Sequence, residues 1–219
     1  MQWAMFWMWL PLIGKKMLLI LIILFTVYAY LINTYPAVTT WDRELILSIQ
    51  NVLKDVPLWI PTSFDCFLYA SMIVLPLLCS FIFFFLRKKY FDIAFLGVVP
   101  LITYGFSSIL KHIVERPRPP IEYHLSVHPG GFSFVSSHTL ISFCLWSMII
   151  YYLINYCENK LLKYIGISIA VIWMLVIGFS RAWLGVHNPT DVLAAYFLGI
   201  ILVVIYIKIR KFFEKYIGL

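Results

Sequence analysis

The chain has 219 residues, of which 63% are hydrophobic and only 12% are charged. A soluble domain usually carries about a quarter charged residues, so this chain has too little polar surface to cover a water-soluble globule. The formal charge of +7 would also suit a nucleic-acid-binding protein, but the basic residues cluster at the ends of apolar runs, as membrane topology requires. We therefore predict an integral membrane protein, with a lipid bilayer around it and no nucleic acid as a partner.

Residues 1–14 open the chain with a tryptophan-rich stretch that ends before Lys15 and Lys16. A signal peptide has its positive charge first and small residues last, and this stretch has neither feature. Tryptophan side chains are favoured at the headgroup level of a bilayer, so we predict an interfacial segment. No domain boundary interrupts the rest, and residues 1–219 are predicted to form a single domain.

Apolar runs dominate the remaining sequence. A helix needs about 20 apolar residues to cross a bilayer, and the runs do not alternate with polar residues as the strands of a membrane barrel do. We predict an all-α protein with six transmembrane helices near residues 17–33, 66–86, 91–111, 138–156, 162–180 and 190–208. The four cysteines form no Cys-x-x-Cys pair, so we predict neither a disulfide nor a metal site from them.

The distribution of basic residues predicts the orientation of these helices. If the N-terminus is cytoplasmic, residues 34–65, 112–137 and 181–189 are the outer segments. In the first of them, apolar residues recur at helical spacing and predict an interfacial helix near residues 41–54. Because cytoplasmic segments carry the excess of Lys and Arg, we predict both termini in the cytoplasm. The inner segments then hold eleven of the 17 basic residues: Lys15, Lys16, Arg87, Lys88, Lys89, Lys160, Lys163, Lys208, Arg210, Lys211 and Lys215.

Ionisable residues at the ends of the predicted spans form three clusters, all on the outer side. Such residues are costly near a membrane and therefore indicate function. The first cluster runs from Lys111 to Arg118, where Pro117 and Pro119 stop the helix and stiffen the chain. A planar guanidinium and a point-charge ammonium held on rigid backbone suit an anion with several oxygens.

The second cluster opens the fourth span with Ser136, Ser137 and His138. Either serine can cap the helix, which leaves free amides and the positive end of the helix dipole directed outward. Such an end is a ready anion site. A histidine placed on it has an ordinary pKa near 6.5, which suits proton transfer.

The third cluster joins the fifth and sixth spans and contains Arg181, His187, Pro189 and Asp191. Proline is favoured in the first turn of a helix. If the last helix begins near His187, then His187 and Asp191 share a face, and Asp191 accepts a hydrogen bond from one imidazole nitrogen. The other nitrogen stays free and basic, as an imidazole nucleophile requires.

Together the clusters supply three cations, two imidazoles and one carboxylate. A metal site is disfavoured because carboxylates are few, the histidines lack the short spacing of metal ligands, and three cations repel a divalent ion. We therefore predict no metal and no other cofactor. The set fits phosphoryl transfer, in which cations hold the phosphate oxygens while one histidine attacks and another protonates the leaving oxygen.

These three clusters resemble the motifs of the type 2 phosphatidic acid phosphatase (PAP2) family, which is related to the vanadium haloperoxidases. The family pattern is K-x6-RP, then PSGH, then SR-x5-H-x3-D. The first and third motifs match in identity and spacing. The second departs from the pattern, since Val135 stands where proline is usual and Ser137 where glycine is usual. A serine at position 137 cannot take the positive φ that glycine takes freely. The resemblance implies a helical bundle like that of this family.

The resemblance also implies residue roles. His187 is expected to form a phosphohistidine, Asp191 to orient it, and His138 to protonate the leaving group. The expected phosphate ligands are Lys111, Arg118, Ser136, the amide of Ser137, and Arg181. Outside the shared pattern lie nearby residues that we interpret as solvated loop residues, with a role in shaping the headgroup pocket as the alternative. They are His112, Glu115, Arg116, His124 and His128.

The implied function is a metal-independent lipid phosphatase in the bacterial inner membrane, acting at the periplasmic face on a phosphorylated lipid. We favour lipid A 1-phosphate slightly as the substrate. Undecaprenyl diphosphate and phosphatidylglycerophosphate are alternatives that the motifs do not separate. A phosphotransferase that passes the phosphoryl group from undecaprenyl diphosphate to lipid A, a non-enzymatic membrane scaffold, and a phosphatase for a soluble sugar phosphate are the further alternatives.

Overall fold

A computed structural model of the chain describes residues 2–126 and 129–217, without the side chains of residues 2–5, 61, 64–72 and 217. Every regular element in this described part is helical, so the all-α prediction is confirmed. The α-helices are α1 (Gln2–Trp9), α2 (Lys15–Thr34), α3 (Pro36–Val52), α4 (Trp59–Leu86), α5 (Tyr90–Val114), α6 (Ser137–Tyr156), α7 (Lys160–Trp183) and α8 (Pro189–Ile217), with short 3-10 turns at Leu10–Leu12 and Ile121–Tyr123.

Five of these helices, α2, α5, α6, α7 and α8, are long and apolar enough to cross a membrane, judged on the described residues. They agree with five of the six predicted spans. In α4 the apolar stretch found among the described residues, Ile73–Leu86, is shorter than these five helices. The sixth span therefore remains a prediction. Large apolar side chains on the outer faces of the bundle, such as Leu19 and Ile172, are more than half exposed, as expected where lipid is the solvent.

Helix α6 forms the centre of the bundle and packs against α5, α7 and α8. Its Cys144, Leu145 and Met148 side chains are fully buried. The glycine at position 199 lets α8 approach α6 closely, because a Cβ there would overlap the Phe143 ring. The predicted site residues at the start of α6 therefore stand on a helix that is packed against several neighbours.

The N-terminal segment packs against the bundle. The Trp7 side chain is 6% exposed, and its ring lies 5.6 Å from that of Phe143, on the second turn of α6. Leu10 is buried as well. Burial gives these two large apolar side chains close contacts with the bundle, and the interfacial position of residues 1–14 stays a prediction.

A buried ion pair ties helices α5 and α8 together at the end of the bundle opposite the three clusters. Arg210 Nε donates to Asp92 Oδ1 at 2.9 Å, and the Tyr152 hydroxyl donates to the same oxygen at 2.9 Å. Glu214 accepts from Arg210 Nη1 at 2.8 Å. Arg210 is therefore more than a marker of topology, because a buried cation needs partners of this kind.

Helix α3, predicted near residues 41–54, spans Pro36–Val52 and begins with proline in its first turn. Its buried face carries Asp42 and Ile46, both 0% exposed, whereas Val52 is 80% exposed. A fully buried carboxylate was not expected on an interfacial helix. A buried carboxylate needs hydrogen-bond donors or a counter-charge among the residues that α3 contacts.

Candidate active site

The predicted clusters meet at one end of the bundle, around a cavity of about 350 Å³. The last turns of α5, the first turn of α6, and the loop between α7 and α8 contribute its walls. Six of the eight predicted site residues line this cavity: Lys111, Arg118, Ser137, His138, Arg181 and His187. The remaining two, Ser136 and Asp191, lie behind its wall and are both 0% exposed.

Two of the three cations, Lys111 and Arg118, are held by backbone carbonyls. Lys111 Nζ donates to the Phe132 carbonyl at 2.7 Å. Arg118 donates from Nη1 to the Val186 carbonyl at 2.6 Å, from Nε to that of Gly131 at 3.1 Å, and from Nη2 to that of Gly130 at 3.3 Å. Arg118 therefore joins the 112–137 loop to the α7–α8 loop, and the rigid guanidinium fork makes this three-way contact possible.

His187 is 3% exposed, and each of its ring nitrogens has a polar neighbour. Its Nε2 lies 3.3 Å from Arg118 Nη1, and its Nδ1 lies 3.3 Å from the Ser133 hydroxyl. The preceding turn uses Gly185 at φ +69, a conformation that glycine adopts at low cost. The loop thus presents Nε2 to the same space as the cations.

The carboxylate of Asp191 reaches His187 through Ser133. We predicted a direct hydrogen bond from the imidazole to Asp191, but the structure places the Ser133 hydroxyl between them, where it donates to Asp191 Oδ2 at 2.5 Å. The same oxygen accepts from the backbone N and the side-chain Nδ2 of Asn188, at 3.2 and 3.1 Å. The four-residue spacing does put both groups at the start of α8, but the loop that carries Ser133 enters between them.

The interpretation of Arg116 as a solvated loop residue was wrong. It is 5% exposed, and its Nη1 donates to Asp191 Oδ1 at 2.5 Å and to Thr190 Oγ1 at 2.8 Å. Its Nη2 donates to Asp42 Oδ2 at 2.8 Å. Two carboxylates that need a buried counter-charge explain why this arginine leaves solvent, whereas its sequence neighbour Arg118 lines the cavity.

Helix α3 contacts the site through polar groups two turns apart on one face. Asp42 accepts from the backbone N of Thr190 at 2.9 Å and from its hydroxyl at 2.6 Å. Gln50 Nε2 donates to the carbonyls of Tyr123 and Trp183 at 2.8 and 2.9 Å. The signal in the sequence was that Asp42 lies one turn before Ile46, on the apolar face, where a solvated carboxylate does not belong.

The two serines at the start of α6 have different positions. Ser136 is the N-cap residue, but its side chain caps no amide and its hydroxyl accepts from Thr139 Oγ1 at 3.0 Å. Its full burial does not support the predicted contact with phosphate. Ser137 lines the cavity and pairs with Ser107 Oγ at 2.5 Å. It is the first helical residue, so the positive φ that glycine would allow is not needed.

The other nearby residues agree in part with our interpretation. Glu115 and His112 are exposed, as predicted for loop residues, although His112 lies in the last turn of α5 and lines the cavity. His124 is partly buried, with its Nε2 3.0 Å from the Pro119 carbonyl. His128 lies outside the described residues.

Burial is the main cause that lowers the pKa of His187 well below its usual range, and the charges of Arg118, Lys111, His138 and Arg181 lower it further. The imidazole is therefore neutral at neutral pH. A neutral imidazole keeps an unprotonated ring nitrogen whose lone pair can attack phosphorus, and the three cations beside it suit the oxygens of a phosphoryl group. This arrangement can perform nucleophilic phosphoryl transfer.

The geometry agrees with a family assignment made from the sequence as a whole. The model of the PAP2 superfamily matches residues 92–215, which include all three clusters. The chain belongs to the PAP2 superfamily.

Known relatives extend the likeness over most of the chain. Phosphatidylglycerophosphatase B of Bacillus subtilis (strain 168) is 34% identical over 155 residues, which is 67% of this chain and 70% of the relative. The crystal structure of the first transmembrane PAP2 type phosphatidylglycerolphosphate phosphatase from Bacillus subtilis has a TM-score of 0.72 at 28% identity, covering 90% of this chain and 96% of that one. Lipid phosphate phosphatase delta of Arabidopsis thaliana is 23% identical over 118 residues, which is 49% of this chain and 28% of the relative.

This PAP2 protein is accordingly an integral membrane enzyme of the lipid phosphatase type. The slight preference for lipid A 1-phosphate drawn from the sequence is not supported by these relatives. The Bacillus subtilis sequence and the Bacillus subtilis crystal structure are both described as phosphatidylglycerophosphate phosphatase, so the alternative that we had ranked lower is the better supported one.

Proposed function

We propose that this PAP2 protein is a phosphatidylglycerophosphate phosphatase that hydrolyses the terminal phosphomonoester of its lipid without a metal ion. The observation that carries the proposal is His187 Nε2, held 3.3 Å from Arg118 in a cavity that Lys111 and Arg181 also line. The similarity to phosphatidylglycerophosphate phosphatase of Bacillus subtilis, in sequence and in crystal structure, supports the choice of lipid.

The proposed reaction has two displacements at phosphorus. The lone pair of His187 Nε2 attacks the phosphorus atom while Lys111, Arg118 and Arg181 hold the non-bridging oxygens. The bond from phosphorus to the glycerol oxygen breaks, and His138 donates a proton to that oxygen. Water then attacks the phosphohistidine with His138 as the base, which releases inorganic phosphate and restores both histidines.

The shape of the cavity supports a lipid rather than a soluble sugar phosphate. Besides the cations, its lining includes Ser108 and Tyr104, and Tyr104 lies about 10 Å before Lys111 along α5 at the rise of an α-helix. The Tyr104 side chain is 61% exposed on the outer surface of the bundle. The cavity therefore extends from the charged end toward the lipid-facing side of α5, where a diacyl lipid can enter sideways.

We place the enzyme in the bacterial inner membrane with both termini in the cytoplasm and the site at the periplasmic face. Eleven of the 17 basic residues lie in the segments assigned to the inside, which supports this orientation. The site lies where α2 ends and α3 begins, opposite Lys15 and Lys16. Cysteine labelling of residue 54 against residue 160 in intact spheroplasts tests the orientation: only the first should react with an impermeant reagent.

An activity panel tests the substrate. The purified protein in detergent is given phosphatidylglycerophosphate, phosphatidate, undecaprenyl diphosphate and lipid A, each with and without EDTA. We expect the highest kcat/KM with phosphatidylglycerophosphate and no effect of the chelator. A higher kcat/KM with another of the four lipids contradicts the assigned substrate, and loss of activity in EDTA contradicts the metal-free mechanism.

A trapping experiment tests the nucleophile. Acid-labile, base-stable phosphate should appear on the protein during turnover of 32P-labelled substrate and should be absent in His187→Ala. His124→Ala is the matched control, since that ring lies outside the cavity, and it should form the intermediate normally. Turnover by His187→Ala at the wild-type rate would overturn the mechanism.

A further inference from the structure

We propose that Ser133 is a positioning residue for catalysis, which fixes His187 in the tautomer with the proton on Nδ1 and transmits the charge of Asp191 to the ring. The inference rests on the proposed function, in which His187 Nε2 is the nucleophile. Ser133 lies outside the three motifs that identify the site in the sequence, and its side chain is fully buried.

The donors and acceptors that Asp191, Ser133 and His187 offer determine the direction of each hydrogen bond between them. Ser133 Oγ lies between Asp191 Oδ2, at 2.5 Å, and His187 Nδ1, at 3.3 Å. An ionised carboxylate can only accept, and a hydroxyl has a single proton. The Ser133 proton therefore goes to Asp191, and the hydroxyl oxygen accepts from the ring. This requires a proton on Nδ1 and leaves Nε2 with its lone pair.

The contact on the other side of the His187 ring indicates the same tautomer independently. Arg118 Nη1 lies 3.3 Å from His187 Nε2, and a guanidinium can only donate. Nε2 must then accept, which it can do only without a proton. Both nitrogens thus assign the same tautomer, with the proton on Nδ1 and the lone pair on Nε2, the nitrogen beside the cavity residue Arg118.

The carboxylate at the far end of this chain is itself held firmly. Asp191 receives Arg116 on Oδ1 at 2.5 Å and Asn188 on Oδ2 at 3.1 and 3.2 Å. When Nε2 takes the phosphoryl group, the ring becomes cationic, and its Nδ1 proton then points at a hydroxyl oxygen polarised by Asp191. Ser133 therefore stabilises the phosphorylated ring more than the free enzyme, so its removal should lower kcat rather than raise KM.

A matched set of variants tests the proposal. Ser133→Ala is expected to lower kcat about 10–100-fold, the range for groups that orient a functional histidine, with KM changed less than threefold. Ser142→Ala is the control, because the Ser142 hydroxyl is buried without a hydrogen-bond partner in the described structure and should be dispensable. Ser133→Thr and Ser133→Val add nearly the same volume and differ in the hydroxyl, so only the Thr variant should restore kcat toward the wild-type value.

Wild-type kcat in Ser133→Ala, or equal kcat in the Thr and Val variants, would overturn the role of the hydroxyl. A measurement on the unmodified enzyme guards against variants that fail to fold: 15N NMR of histidine-labelled protein at pH 7.5, with His187→Gln used for assignment. We expect a protonated Nδ1 and an unprotonated Nε2 on His187, and the opposite tautomer refutes the proposal. Absence of phosphohistidine in the wild type would refute the proposed function instead, and the NMR result would still decide the tautomer.

Discussion

Replacement of Asp42 by alanine tests the connection between α3 and the active site. Asp42 is fully buried on a helix that the sequence assigns to the membrane interface. Its two oxygens accept from Arg116 Nη2, from the backbone N of Thr190 and from the Thr190 hydroxyl. Burial raises the pKa of Asp42, whereas these hydrogen bonds and the Arg116 charge oppose that rise.

The expected loss of stability in Asp42→Ala follows from the buried polar groups that lose Asp42 as their partner. Asp42→Ala leaves a guanidinium that is 5% exposed with one carboxylate instead of two, and it leaves the Thr190 amide without its acceptor. Breaking a buried ion pair by removing one partner costs about 3–5 kcal/mol. In a chain of this length each kcal/mol lowers the unfolding midpoint by about 2–4 °C, so we expect a fall of about 6–20 °C. Asp42→Asn keeps one acceptor oxygen and should fall between these values and the wild type.

The assay is thermal unfolding in a single detergent, followed by tryptophan fluorescence and by loss of phosphatase activity. Glu44→Ala is the matched control, because Glu44 is exposed on the same helix, and exposed substitutions usually change stability by less than about 0.5 kcal/mol. If Asp42→Ala unfolds within about 2 °C of Glu44→Ala, the buried contacts of Asp42 with Arg116 and Thr190 do not stabilise the protein, which contradicts the prediction.

Three further predictions concern the loop and the cations. Gly185→Ala should lower the unfolding midpoint, because φ there is +69 and a Cβ would overlap the Tyr123 carbonyl, whereas Gly97→Ala, with nothing within 4 Å, should not. Arg118→Lys should lower kcat/KM by at least about 100-fold, since an ammonium cannot span three carbonyls and phosphate together; a change below tenfold would contradict this. Because the pKa of His187 is lowered, its protonation should reduce kcat/KM only below pH 6.5, after correction for titration of the substrate phosphate. An acidic limb at or above pH 6.5 would contradict the lowered pKa of His187.

The position of the site could be predicted from the sequence because its signals are local. Hydropathy gives five of the six predicted spans, since a helix in lipid must satisfy its own backbone hydrogen bonds. Ionisable residues are tolerated only at the ends of such spans, and this places Lys111, Arg118, His138, Arg181 and His187 at one face. Those five side chains do line one cavity.

The partners of these residues could not be predicted in the same way. Arg116 and Arg118 are two positions apart in one basic, proline-rich segment, yet one pairs with carboxylates 74 and 75 residues away and the other faces the cavity. Nothing in local periodicity encodes which of two neighbouring arginines turns inward. The same holds for Ser136, whose place at the N-cap was predictable although its burial was not.

The sequence by itself therefore determined the fold class, the membrane setting and the groups available for phosphoryl transfer, because each depends on residue type and short-range spacing. Only the tertiary structure decided that Ser133 lies between His187 and Asp191. The same holds for Arg116, which pairs with the carboxylates of both Asp191 and Asp42. The physical reason is that a buried charge selects its partner by three-dimensional proximity, after the helices have packed.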